Sequence, residues 1–439
     1  MSALDRDYLI GRWRYTVGRM VRRIWFRASM FSLAAVIIAL LSAFLVRFVT
    51  FPFELTLASE AVDNILTILA SSMLAVTTFS LSIMVSAYAA AASTSTPRAT
   101  ELLISDSVAS NTLATFIGSF LFAVVGMIGM SMGIYGNQGR VLLFFSTLIV
   151  LFLVTAALLR WIEQLTHFGR VGDTIWRVEQ ASEAAARSWA KLPRLGAAAE
   201  EDVPEGAAPL YLEEMGYIQH LDMEELNKLA RRSGGTVHVR KLPGAYIGPH
   251  IAVAFLEAEP DGEMREAMAE CFTIDRQRSF GQDPSFGLIV LSEIASRALS
   301  PAVNDPGTAI QVMTAGTRVL QAYCESLNER TEARFECVRA PDIDHGEMLE
   351  DFFNPIARDG ASLLEVQHRL QRSLHMVALA NRDLFAEAAG RISAVSLKRA
   401  LNHLDANLEK TRLRRVAGWS LPDEYTGELT DEEARRAEA

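Results

Sequence analysis

The sequence predicts a membrane α-helical protein. Four transmembrane helices join a cytoplasmic α+β domain that holds a small β-rich module and ends in long helices. Three observations predict it. Residues from about 28 to 163 are nearly all apolar or small, although the 439-residue chain is only 50% hydrophobic, with a mean hydropathy of +0.17. Arginines crowd both ends of that stretch. Beyond it the pattern becomes that of soluble protein, with strand-length runs, turn residues and capped helices.

A chain of this length has room for more than one domain. Residues 1–27 hold Arg6, Arg12, Arg14, Arg19, Arg22, Arg23 and Arg27, and Trp13, Val17, Val21 and Ile24 recur there at helical spacing. That pattern fits an amphipathic helix in the cytoplasmic interface or an extension of the first span. A crossing helix needs about 20 mostly apolar residues. Four segments within 28–163 provide them: Ala28 to Phe51, about Val62 to Ala92, about Thr112 to Gly133, and Val141 to Trp161. The first is too long for a signal-peptide core and no small-residue cleavage site follows, so it is expected to stay. Arg160, Arg170 and Arg177 follow the last span, whereas the loop from Pro52 to Val62 has no Lys or Arg and the loop after the third span has only Arg140. The cytoplasmic excess of positive charge in such proteins puts both termini in the cytoplasm, and four crossings satisfy that parity.

In the second span Thr67, Ser71, Thr78 and Ser82 stand at offsets of 4, 7 and 4, one narrow helical stripe that Ser72, Thr77, Ser80 and Ser86 broaden. These four are candidate pore-lining residues, since hydroxyls on one face can line a wet path. They can equally bond neighbouring helices or their own backbone. Gly126, Gly129 and Gly133 mark the third span, and the last two form a GxxxG pair that predicts close helix packing. No Asp, Glu, Lys or His sits at the centre of a span, which argues against a proton-coupled carrier, and no paired histidines offer haem ligands.

Residues 164–207 read as an amphipathic helix, about Gly169 to Lys191, and a Pro-, Gly- and acid-rich linker. Residues 208–418 form the cytoplasmic α+β domain, and 419–439 an acidic, disordered tail. In "GYIQHLDMEELNKLARRSGGTVHVRKLPGAYIGPHIAVAF" the order is strand, short helix, strand, turn, strand. Asp222 is the expected N-cap of the helix, "SGG" ends it, and Pro243-Gly244 makes a tight turn. The module is similar to half of a biotinyl or lipoyl barrel, but its tip, "LPGAY", lacks the lysine that such carriers modify.

Asp283-Pro284 and Asp305-Pro306 each open a helix, with Asp as cap and Pro at the first helical position. Pro301 ends the first of these helices. The stretch "RALSPAVNDPGTA", Arg297 to Ala309, is thus a joint between two helices. Arg276, Arg278, Arg297, Asn304 and Asp305 around it form a candidate anion or ligand site, because helix N-termini attract anions. The structural alternative pairs Glu293 with Arg297 along one helix face and uses Asp305 only as a cap; it is the favoured reading. "PDIDHGEMLEDFFNPIARDG" reads as an acidic loop, and its Asp342, Asp344 and His345 match no standard metal spacing. Two long helices follow, about Ala361 to Ala380 and Arg382 to Arg415.

The net charge of -10 excludes a nucleic-acid partner, which needs a concentrated basic surface. Cys271, Cys324 and Cys337 are few, odd in number and without metal spacing, as expected in a reducing compartment. No Ser-His-Asp order, P-loop, dinucleotide fingerprint or metal set occurs, so no enzyme activity, catalytic residue, metal or cofactor is expected.

The stretch "FGQDPSFGLIVLSEIASRALSPAVNDPGTAI" resembles the hallmark of a bacterial family of predicted membrane proteins, domain of unknown function 2254. "FSLSIMVSAYAAAASTSTPR", "GYIQHLDMEELNKLA" and "LPGAYIGPHIAV" extend the resemblance from the first span to about Tyr323. The Gln-containing stretch usual in that family after the second span is here reduced to small residues and Pro97-Arg98. The resemblance implies an inner-membrane protein with a large cytoplasmic domain, and it supplies no catalytic residues. Two functions compete. One is a channel or transport conduit; four helices of one chain pack their own centre solid, so it requires a homo-oligomer with the second span at the axis and the cytoplasmic domain as regulator. The other is a membrane-anchored sensor or scaffold that binds a small anion or a partner protein. The size of the membrane half favours the conduit.

Overall fold

The computed structural model describes residues 24–44, 59–94, 96–104, 107–135, 137–166 and 169–420. The chain divides into two compact units, one of Thr16–Ser93 and Thr100–Asp173, the other of Met1–Tyr15, Thr94–Ala99 and Thr174–Ala439.

The described part of the first unit is helical: α1 (Ile24–Phe44), α2 (Ser59–Thr94), α3 (Pro97–Ile104), α4 (Ser107–Ser131) and α5 (Asn137–Leu165), apart from Thr94 and Pro97–Ala99, which belong to the second unit. Three helices are long and apolar enough to cross a membrane, over Ala61–Ala92, Val108–Ser131 and Gly139–Leu165. They coincide with the second, third and fourth expected spans. A helix suits this solvent because it satisfies its own backbone where water is absent. The first expected span is described only to Phe44, with a shorter apolar helix over Phe26–Ile38; its remainder and nearly all of the Arg-rich segment before it lie outside the described residues. Leu66 and Met73 of α2, Phe116 and Phe122 of α4, and Leu143, Val154 and Trp161 of α5 share one buried cluster. Arg27 of α1 donates to Asn111 of α4 at 3.1 Å.

The GxxxG expectation is corrected. Gly133 adopts a φ of 67°, and a Cβ on it would meet nothing within 4 Å, so it follows α4 in the left-handed conformation that glycine tolerates. Gly129 seats the ring of Tyr135. The close backbone approach is instead at Gly118, where a Cβ would lie 3.2 Å from the carbonyl oxygen of Phe31 on α1.

The second unit begins with α6 (Val171–Lys191) and β1 (Ala197–Ala199). It continues through β2 (Ala208–Leu210), β3 (Gly216–Leu221), α7 (Met223–Ser233), β4 (Val237–Val239), β5 (Tyr246–Ile247), β6 (Ala254–Leu256), α8 (Gly262–Glu270) and β7 (Phe272–Asp275). Then come α9 (Phe286–Ala298), α10 (Pro306–Ser326), β8 (Phe335–Ala340), α11 (His345–Asp359), α12 (Leu364–Ala380), α13 (Arg382–His403) and α14 (Asn407–Ala417). One sheet has the order β1-β8-β4-β6-β2, parallel from β1 to β4 and antiparallel beyond; the other is antiparallel, β5-β3-β7. As expected, Asp222 caps α7, accepting from the Glu225 amide at 3.1 Å, and Gly234 ends it at a φ of 77°.

Three readings of this half need correction. The composition-based linker carries β1 and β2, with Leu195 and Ala197 buried and Arg194 and Leu195 both at a φ of 56°. The acidic stretch taken as a loop holds α11: Asp344 accepts from the Glu347 amide at 3.0 Å, and Met348, Leu349, Phe352, Phe353 and Ile356 are buried at helical spacing despite Pro355. The second long C-terminal helix is two, broken between His403 and Asn407.

Helix α10 approaches α11 through Gly316, where a Cβ would stand 2.1 Å from Cζ of the fully buried Phe352. Gly390, in the middle of α13, faces open space. Gly316→Ala is therefore expected to destabilise the protein by about 1–3 kcal/mol through overpacking. Gly390→Ala is expected to stabilise it by up to about 1 kcal/mol through helix propensity. Thermal unfolding of the two purified variants checks the opposite signs.

Candidate functional site

The segment ahead of α9 is stitched to β3 by side chains that imitate a strand. The Leu221 amide donates to Gln282 Oε1 at 2.8 Å, and Gln282 Nε2 donates back to the Leu221 carbonyl at 3.3 Å. Gln219 Nε2 donates to the Gln277 carbonyl at 2.8 Å, and Ser279 Oγ to the Gln219 carbonyl at 3.2 Å. The register of β3 on β7 shifts at this point, between Ile218 and His220.

Asp283 follows. Its side chain is 4% exposed and accepts two bonds from Arg278, from Nε at 2.7 Å and Nη2 at 2.9 Å. It also accepts from the Phe286 amide at 3.1 Å; the helix itself begins at Phe286 with Ser285 at its cap position, so Asp283-Pro284 form the turn before α9 and do not place Pro at its first position as expected. Burial pushes the Asp283 carboxyl upward, and the Arg278 guanidinium and the Phe286 amide pull it back. The Arg278 guanidinium stands 5.5 Å from the centre of the Phe286 ring. Above the pair lies the Pro243-Gly244 turn. Gly244 has a φ of 96°, and a Cβ on it would be 2.4 Å from Asp283 Oδ2 and 3.0 Å from Arg278 Nη2. A single buried ion pair thus joins the hairpin turn, the strand β3 and the start of α9.

At the other end of α9 the helix stops at Ala298, Asn304 takes a φ of 49°, and Asp305 caps α10. Asp305 accepts from the Thr308 amide at 3.0 Å and from its hydroxyl at 2.6 Å, and these bonds hold its carboxyl below the usual range. The five residues of the candidate ligand site are not assembled: none bonds to another among the described residues. Arg278 is committed to Asp283 and Asp305 to its cap, while Arg276 and Arg297 are exposed with no ion pair among the described residues. Glu293 does not pair with Arg297; its carboxylate takes Arg98, which directly precedes the buried Ala99. Each member of the acidic trio is bonded elsewhere. Asp342 accepts from Trp189 Nε1 and Arg194 Nη1, both at 3.1 Å; Asp344 caps α11; and His345 Nε2 meets the Tyr323 hydroxyl at 2.7 Å, where burial lowers the histidine pKa and raises that of the tyrosine.

On α2, Val62, Leu66, Leu69, Ala70, Met73, Ser80 and Met84 are buried. Thr67, Ser71, Thr78 and Ser82 are all exposed, and at 100° per residue they lie on the opposite side of the helix. Ser71 and Thr78 donate to their own backbone, at the Thr67 and Leu74 carbonyls (2.9 and 3.0 Å), and Thr67 reaches Met127 Sδ at 3.4 Å. Ile68, Phe79 and Val85 flank the stripe, each more than half exposed. The sequence signal for Arg98–Glu293 and for Gln282 was absent, because each joins residues far apart in the chain.

The family described as "Predicted membrane protein (DUF2254)" matches residues 21–376. Uncharacterized proteins of Mycobacterium bovis and Mycobacterium tuberculosis are each 33% identical over 116 residues, covering 25% of this chain and 22% of theirs. The match thus spans less than a quarter of these relatives' length. No solved structure matches.

Arg278→Met strands the Asp283 carboxylate and is expected to cost about 3–5 kcal/mol. Adding Asp283→Asn, which keeps the bond from the Phe286 amide and removes the charge, is expected to recover much of that loss. Unfolding temperatures of the single and double variants check the pattern.

Proposed function

Because the chain belongs to the DUF2254 family of predicted membrane proteins, we propose that it is a four-span protein of the bacterial inner membrane with both termini in the cytoplasm. Its copies assemble around the hydroxyl face of α2 into a channel or transport conduit, regulated by the α+β unit. One observation carries this reading. The side of α2 that packs within the chain is apolar apart from Ser80, and the more exposed side presents Ser71, Thr78 and Ser82, with Thr67 at its edge against Met127. Hydroxyls that bond their own backbone are tolerated against lipid; at the axis of an oligomer they serve a further purpose, since a hydroxyl that donates to its own carbonyl still offers lone pairs to water or a cation. The exposed small side chains Ala75 and Ala89, on the same side, also permit close approach between copies.

A second reading, a membrane-anchored sensor or scaffold for a small anion or a partner protein, draws on the exposed Arg276 and Arg297. Cysteine cross-linking in membranes separates the two. The conduit requires Ser71→Cys chains to form disulfide-linked dimers while Val62→Cys chains, buried within one subunit, do not. Monomers from Ser71→Cys, with imaged particles that lack rotational symmetry, contradict the conduit and favour the sensor.

A further inference from the structure

Helix α9 offers one carboxylate to two arginines. Glu293 is 30% exposed and holds Arg98, itself 45% exposed. Arg98 stands at the start of α3, within the short stretch Thr94–Ala99 that belongs to the same compact unit as α9 although the chain on both sides of it does not. The stretch is seated: Thr96 and Ala99 are buried, and the Ala99 amide donates to Thr96 Oγ1 at 3.3 Å. Arg297 lies four residues after Glu293 on the same helix, exposed and without an ion pair among the described residues. An acid placed four residues before a base is the favoured orientation for a helical pair, so Arg297 is a ready partner that the carboxylate does not take.

We propose that Glu293 is a two-position latch. In one position it grips Arg98 and fastens Thr96–Ala99 to α9. In the other it turns to Arg297 along its own helix and lets that stretch go. Both pairs are partly solvated and individually weak, which is what a reversible latch requires: a strong pair would lock one state. The stretch begins two residues after Thr94, the last residue of α2, so the latch acts next to the end of the helix that carries the hydroxyl stripe. It stands or falls independently of whether that helix lines a conduit.

Amide exchange by mass spectrometry tests it, on the full-length protein in phospholipid nanodiscs at low salt, following the peptide that contains Arg98 and Ala99. Glu293→Gln removes the latch and is expected to speed exchange about two- to fivefold, the range a weak ion pair supports. Arg297→Gln removes only the competitor and is expected to slow exchange. The double variant is expected to match Glu293→Gln. Exchange that is unchanged or faster in Arg297→Gln overturns the latch, as does any effect of Arg297→Gln that persists once Glu293 is gone.

Discussion

A charge taken out of water must be answered, and the buried Asp283 carboxylate is the point where this constraint organises the second unit. Arg278 answers it with two bonds and the Phe286 amide with a third. Removing either charge alone leaves the other stranded. The surroundings follow from that requirement. The turn above the pair has room for glycine alone, because any Cβ at residue 244 would collide with the carboxylate. The segment between β7 and α9 must hold still for Arg278 to reach, and Gln282 and Ser279 tie it to β3. Once α9 starts correctly, its buried side, Phe286, Leu291 and Ile294, meets the core that α10 and α11 complete.

The two ends of α9 then carry different work. Its start is held by the ion pair. Its far end is a joint, in which Asn304 supplies a left-handed turn and Asp305 a cap. The exposed side between those ends holds Glu293 and Arg297, and there the helix meets Arg98. The membrane unit has a parallel division. One side of α2 is spent on packing within the chain, and the other presents hydroxyls among large apolar side chains.

Much of this was legible in the sequence because its causes are local. Uninterrupted apolar length marked α2, α4 and α5 as helices long and apolar enough to cross a membrane; Asp222 and Asp305 marked helix starts; Gly244 marked a turn. What was not legible depends on partners distant in the chain. The residues 197–199 look like linker because alanine has no strand signature, and only pairing with β8 makes them a strand. Helix α11 was hidden by Pro355 and by its run of acids, of which Asp351 is half-buried near Arg278. The GxxxG spacing was real, but the chain turns at Gly133, so the close approach fell to Gly118. The candidate anion site grouped residues by nearness in sequence, and a helix of thirteen residues carries Arg278 and Arg297 to its opposite ends.

The account rests most heavily on the joint at Asp283 being part of the rigid core and not a surface decoration. Amide exchange at Leu221 and Phe286, whose N–H groups bond Gln282 and Asp283, measures this directly in the full-length protein. Both amides are expected to exchange only through global unfolding of the second unit, with protection equal to that of the α10 core. Exchange at either amide through local opening, orders of magnitude faster than in α10, would contradict it.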